Sequence, residues 1–110
     1  MRFELISECP VETTLNVLGN KWVVLIIREL LKSPKRHSEL KKSINGITQK
    51  VLTSNLKKLE ANGVVYREVL SKKPIHVEYS LTEFGKSLEN VLFSMQKWGK
   101  ELQQSVKGQN

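Results

Sequence analysis

The chain of 110 residues contains a single cysteine, three prolines and only 6% aromatic residues. One cysteine cannot close an internal disulfide, so the fold must rest on its own core, and a reducing cytoplasm is the expected compartment. Long apolar runs are missing too. The longest, Trp22–Ile27, is six residues, against the ~20 that a membrane-spanning helix needs. The first eight residues carry two acids and no apolar block, so no signal peptide is expected. There is no glycine-rich phosphate loop, His37 and His76 stand far apart in sequence, and no ligand set has metal spacing. These gaps argue against an enzyme, a metal centre or a bound cofactor, although a thiol-based enzyme using Cys9 stays formally open. Acids are also scarce, at 11 against 18 Lys+Arg, for a net charge of +7.

What remains is enough for one domain over residues 1–110. A chain of this size buries roughly 65% of the surface its unfolded form exposes, which suffices for a real core. The excess charge is not spread evenly. Lys35 through Glu78 holds ten basic residues and four acidic ones, or +6, and the remaining 66 positions carry only +1. An anionic membrane would call for cations along one strongly amphipathic helix. Here the cations fall on two short helices and a turn, which suits the phosphates of double-stranded DNA better.

Periodicity supplies the elements. Cys9-Pro10 opens a first helix, on which Val11, Leu15 and Leu18 recur, and Gly19-Asn20 ends it. A dense apolar helix follows over about 21–32, and Ser33-Pro34 stops it. Ser38 is the expected N-cap of a third helix, with Glu39 in its first turn and Lys41 and Lys42 in its last. After an Asn45-Gly46 turn, Thr48 caps a fourth helix that ends at Gly63. Residues 38–63 thus read as a helix-turn-helix. Alternation over 64–81, with Ser71-Lys72-Lys73-Pro74 between two strands, adds a β-hairpin. Thr82 caps one last helix running to about Gln104, about 34 Å long at ~1.5 Å per residue. The fold class expected is mainly α with a small hairpin (α+β): a winged helix-turn-helix.

On the fourth helix, at ~100° per residue, Leu56 and Leu59 fall within about 40° of Leu52 and make the buried stripe. Lys50, Thr53, Ser54 and Lys57 fall opposite, with Gln49 at the exposed N-terminal edge. Gln can pair with adenine, the threonine methyl can pack on the thymine methyl, and Lys can reach guanine or phosphate. An ordinary solvated face is the bland alternative, and the helix-turn-helix context with its local charge argues against it. Lys72 and Lys73 would reach the minor groove or the backbone beside it. Lys35, Arg36, Lys41 and Lys42 are phosphate contacts or simply solvated.

The last helix has a stripe of Phe84, Leu88, Val91, Leu92, Met95, Trp98 and Leu102, expected to pack on the helix's own domain. Phe93 lies ~140° from Leu88, among Lys86, Lys97 and Lys100. That placement implies burial on a second side, read as a homodimer interface rather than a lone exposed aromatic.

Taken in order, Cys9-Pro10-Val11-Glu12, Gly19-Asn20-Lys21-Trp22, residues 34–40, Gly46 through Thr53, Leu59 through Val65 and Val77 through Gly85 resemble the HxlR family of bacterial winged-helix regulators. The match covers about residues 9–99. The resemblance implies a dimeric transcription factor, with its first and last helices at the dimer contact. Val11, Leu15, Leu88, Leu92, Phe93, Met95 and Trp98 would carry that contact. It also implies that the helix from Thr48 reads the major groove of a pseudo-palindromic operator and that Lys72-Lys73 tips the wing. His37 departs from the family, which more often has Phe there, and is expected to be a partly buried packing residue rather than a pH sensor. Cys9 matches a recurrent cysteine that in some members senses oxidants or electrophiles. The helix dipole favours its thiolate while Glu8 and Glu12 oppose it, so sensing and helix-start packing both stay open. A winged helix that binds only protein is the rival reading. It would tolerate an acidic or neutral helix face.

Overall fold

The computed structural model describes residues 2–108. After a single 3₁₀ turn, Arg2–Leu5, the elements run α1 (Pro10–Leu18), α2 (Lys21–Lys32), α3 (His37–Ser43), α4 (Gln49–Ala61), β1 (Val65–Lys72), β2 (Ile75–Leu81), α5 (Glu83–Lys86) and α6 (Glu89–Gly108). This is the expected winged helix-turn-helix. At the centre lies α2, whose Val23, Ile26, Ile27 and Leu30 are buried. Leu40 of α3, Ile44 and Ile47 of the following turn, and Leu52, Leu56 and Leu59 of α4 close over it. Val64, Val65 and Leu81 cover the remaining side at the root of the hairpin.

Several boundaries follow from local hydrogen bonding. The Asn20 side chain accepts from Val23 N–H and starts α2, and the Thr48 side chain accepts from Val51 N–H and starts α4. Gly19, Gly46 and Gly63 have φ of 69°, 83° and 75°, the left-handed backbone that each helix exit or turn needs. The N-cap of α3 is Arg36 and not Ser38 as expected, because the Glu39 carboxylate accepts from Arg36 N–H at 2.7 Å and sets the helix start earlier. The hairpin turn is also tighter than expected. Ser71 and Lys72 pair with His76 and Ile75, and Lys73-Pro74 alone makes the turn, with a register shift between Val69 and Ser71.

A third strand-like contact escaped the sequence reading. Lys35 N–H donates to Tyr79 C=O (3.0 Å) and Tyr79 N–H to Lys35 C=O (2.8 Å), so the segment entering α3 is laced to β2. The N-terminal segment is tied down as well: Ser7 N–H donates to Thr13 Oγ1, and Asn16 Nδ2 to Leu5 C=O, both at 2.9 Å. Buried Glu29 accepts from Arg28 Nε (2.8 Å) and Lys32 Nζ (3.0 Å). Burial pushes its carboxyl up, but the bonds and charges of Lys32 and Arg28 outweigh this and hold it below the ordinary carboxylate range.

The single final helix is a correction. It is broken into α5 and α6 at Ser87-Leu88. There the bonds shorten to i→i−3 type, Ser87 N–H to Phe84 C=O and Leu88 N–H to Gly85 C=O, and the Ser87 hydroxyl competes for the same Phe84 carbonyl. Leu88 at the break and Leu92 one turn beyond it are buried, each 8% exposed. The expected stripe therefore packs on its own domain through Phe84, Leu88, Val91 and Leu92. Farther along, Met95, Trp98 and Leu102 run out beyond the core and are exposed. The radius of gyration, 15.7 Å, exceeds the ~13 Å of a compact chain this long.

Gly85 sits where α5 crosses the root of β1, and a Cβ there would overlap the Val64 carbonyl oxygen. Gly85→Ala should cost about 3 kcal/mol of folding stability, read as a lowered urea midpoint with an unchanged m-value.

Candidate nucleic-acid interface

Burial of Leu52, Leu56 and Leu59 turns the opposite side of α4 to solvent. Gln49, Lys50, Ser54 and Lys57 are exposed there, and with half-buried Thr53 they line one open hollow. The sequence placed these residues together and the structure does the same. Thr48 stands beside them, its Oγ1 accepting from Val51 N–H as the N-cap. No acid interrupts the hollow, so a phosphate approaching it meets cations and neutral hydrogen-bonding groups alone.

Both flanks of α4 are held by polar contacts that sequence reasoning missed. On one side Asn55 is buried; its Nδ2 donates to Val51 C=O (2.8 Å) and its Oδ1 accepts from Asn20 Nδ2 (3.2 Å). Asn20 is also the cap of α2, so a single amide pair joins the end of α1, the start of α2 and the middle of α4. The available signal was a polar residue ~60° from Leu52, within the apolar sector. On the other side His37, at the start of α3, places Nε2 2.9 Å from Thr53 Oγ1. His37 is half-buried, as expected of a packing residue.

The other predicted contacts are dispersed. Lys41 and Lys42 are exposed on α3, and Arg36 is exposed at its cap. Lys35 is half-buried; its backbone makes the bridge to β2, and its Nζ donates to Ser33 Oγ at 2.9 Å. Lys72 and Lys73 are exposed at the wing tip, roughly 25 Å along the strands from Val65. The wing is not basic throughout: Glu68 and Glu78 pair directly across it, with His76 Nε2 3.1 Å from Glu78 Oε2. Strand alternation puts those acids with Tyr66 and Ser80 on one face, and Arg67, Val69, Val77 and Tyr79 on the other.

The expected dimer residues divide. Leu88 and Leu92 are core residues of the protomer, each 8% exposed, which corrects their assignment to the dimer contact. Val11 (69% exposed), Leu15 (62%), Phe93 (64%), Met95 and Trp98 (66%) are on the surface. A groove between α2 and α6, lined by Val24, Leu31, Phe93 and Met95, has Arg28 and Lys32 in its walls. Cys9 is a free, exposed thiol at the N-cap of α1, so helix-start packing does not describe it. Among the described residues no three His, Cys, Asp or Glu gather as a metal site, and no helix is long and apolar enough to cross a membrane.

Comparison with known proteins agrees with this geometry. The HxlR-like helix-turn-helix family model matches residues 17–107, a span that begins after Cys9. The transcriptional regulator YdeP of Bacillus subtilis is 45% identical over 98 residues, covering 89% of this chain and 77% of YdeP. Among solved structures, the redox regulator HypR in its reduced form superposes with a TM-score of 0.83 at 41% identity, covering 91% of this chain and 99% of HypR. Reduced YodB of B. subtilis gives 0.75 at 42% identity, covering 86% and 94%; YodB has also been solved after diamide treatment.

Thr53→Ala or Gln49→Ala should reduce discrimination at the contacted base pair by ~1–3 kcal/mol. Lys57→Ala should weaken specific and random duplexes alike and lower the salt slope by about one. Fluorescence anisotropy against both kinds of duplex over 50–200 mM salt separates these effects.

Proposed function

This chain belongs to the HxlR-like helix-turn-helix family, and we propose that it is a sequence-specific, double-stranded-DNA-binding transcriptional regulator, not an enzyme, that works in the cytoplasm as a homodimer. The carrying observation is the outward face of α4: five side chains that can donate or accept hydrogen bonds, two of them cationic, line one acid-free hollow. A module that binds only protein has no need of that chemistry. In the reading we favour, α4 lies in the major groove, Lys72 and Lys73 grip the backbone or minor groove beside it, and Arg36, Lys41 and Lys42 meet flanking phosphates.

The dimer rests on surface chemistry. Val11 and Leu15 on α1, with Phe93, Met95, Trp98, Leu102 and Val106 on α6, expose more bulky apolar side chain than a monomer of this size normally shows to water. A second copy laid against α1 and α6 would cover them, and a two-fold axis would set two copies of α4 about 34–36 Å apart on a pseudo-palindrome. Phe93→Glu with Trp98→Glu should turn a dimer into a monomer in sedimentation at micromolar concentration. It should also abolish tight binding to the chain's own upstream DNA while leaving the melting cooperative. A wild-type chain that sediments as a monomer would remove the dimer, and a chain that binds no duplex at 50 mM salt would remove the function.

Cys9 is proposed as the site where oxidants or small electrophiles act. Its exposure makes it accessible, and similarity to HypR and YodB supports a thiol response. With one cysteine per chain, the products open to it are an intersubunit disulfide or an adduct with a small thiol or electrophile. Cys9→Ser should bind DNA as the wild type does but no longer change its affinity on diamide treatment. Equal responses of the two proteins would exclude Cys9.

A further inference from the structure

We propose that His37 is a specificity-determining positioning residue, which acts by committing the Thr53 hydroxyl and thereby fixing how α4 can use that hydroxyl on a base. The inference rests on the reading above, that the outward face of α4 meets base edges.

A threonine hydroxyl has one hydrogen to donate and two lone pairs. His37 Nε2, 2.9 Å from Thr53 Oγ1, takes one of these. Among the described residues it is the one side-chain hydrogen bond that joins α3 to α4. Thr53 lies ~100° from Leu52 around α4, at the margin between the buried stripe and the open hollow it helps to line. The constraint therefore acts on a side chain at the edge of the reading surface, not on one inside the core.

Two arrangements are possible, and they leave DNA different groups: the first leaves the hydroxyl proton and one lone pair, the second a lone pair alone. A proton on Nε2 is donated to Oγ1, and the Thr53 O–H remains free to donate to O6 or N7 of guanine, N7 of adenine or O4 of thymine. A bare Nε2 accepts the Thr53 proton, and Oγ1 can then only accept, from adenine N6 or cytosine N4. In both cases the ring also holds the threonine rotamer, so its methyl is offered at one place. A phenylalanine could fill much the same space but would release the hydroxyl to rotate between donor and acceptor roles. His37 is thus distinct from residues that only pack: it sets what Thr53 can offer to a base pair.

The test is selection of sites from a pool of random duplexes by the full chain and its His37→Phe, His37→Gln and Thr53→Val variants, with a melting curve for each. His37→Phe and Thr53→Val are expected to lose about fivefold or more of the preference at one and the same base pair, the loss that follows when a single side-chain-to-base contact is removed. Preferences elsewhere, affinity for random duplex and the salt slope should stay as in the wild type. His37→Gln, whose amide can still pair with Oγ1, should keep a preference at that position. His37→Leu repeats the measurement if the phenylalanine variant does not fold. The proposal is overturned if the wild-type profile survives in His37→Phe, if His37→Phe and Thr53→Val alter different positions, or if His37→Phe weakens every duplex equally. A wild-type chain that enriches no sequence at all would instead sink the DNA-reading function, and that outcome is separable because it appears before any variant is compared.

Discussion

The outward face of α4 depends on the burial of three leucines. Leu52, Leu56 and Leu59 press α4 against Ile26 and Ile27 of α2, and each is essentially removed from water. Burying a leucine contributes on the order of 2 kcal/mol, so rotating α4 by one residue would forfeit more than the whole solvated face could return. The hydrophobic stripe chooses the orientation, and Gln49, Lys50, Thr53, Ser54 and Lys57 face outward as its consequence. Fine adjustment is left to weaker, directional contacts. The Asn20–Asn55 amide pair holds one flank and the His37–Thr53 bond the other. Apolar packing alone leaves a helix free to slide by fractions of an ångström, and hydrogen bonds at fixed lengths remove that freedom.

Much of this was legible in the residues, because the signals were local or periodic. Gly19, Gly46 and Gly63 mark helix exits and a turn by the one backbone conformation that glycine adopts cheaply. The Leu52–Leu56–Leu59 spacing identified both faces of α4, and the change from a period of 3.6 to a period of 2 after Gly63 located the hairpin. What stayed hidden is mostly non-local. Lys35 and Tyr79 are 44 positions apart, and nothing in Ser33-Pro34-Lys35 announces a strand partner. The break at Ser87 was hidden for another reason. Its apolar pattern runs unbroken from Phe84 to Leu102, and the break shows only in the hydrogen bonds of Ser87 and Leu88 back to Phe84 and Gly85.

The N- and C-terminal helices are best understood together. The segment before α1 is fastened to it through Thr13 and Asn16, so Cys9 sits on an ordered corner. α6 leaves the core after Leu92 and carries its remaining apolar side chains into solvent. An isolated helix with that much exposed apolar surface gains little by standing alone, and it gains most by meeting an identical surface. The Cys9 corner and the projecting helix thus lie at the edges of the same module, and the Asn20–Asn55 pair joins the end of α1 to α4.

The rung at Glu68 and Glu78 gives the hairpin a polarity of its own. Two carboxylates side by side repel a phosphate, whereas the reverse face offers Arg67 among apolar neighbours, and the tip offers two lysines. A ribbon charged in this way is a key cut on one edge, with its cations gathered at the tip and on one face and its carboxylates confined to the other.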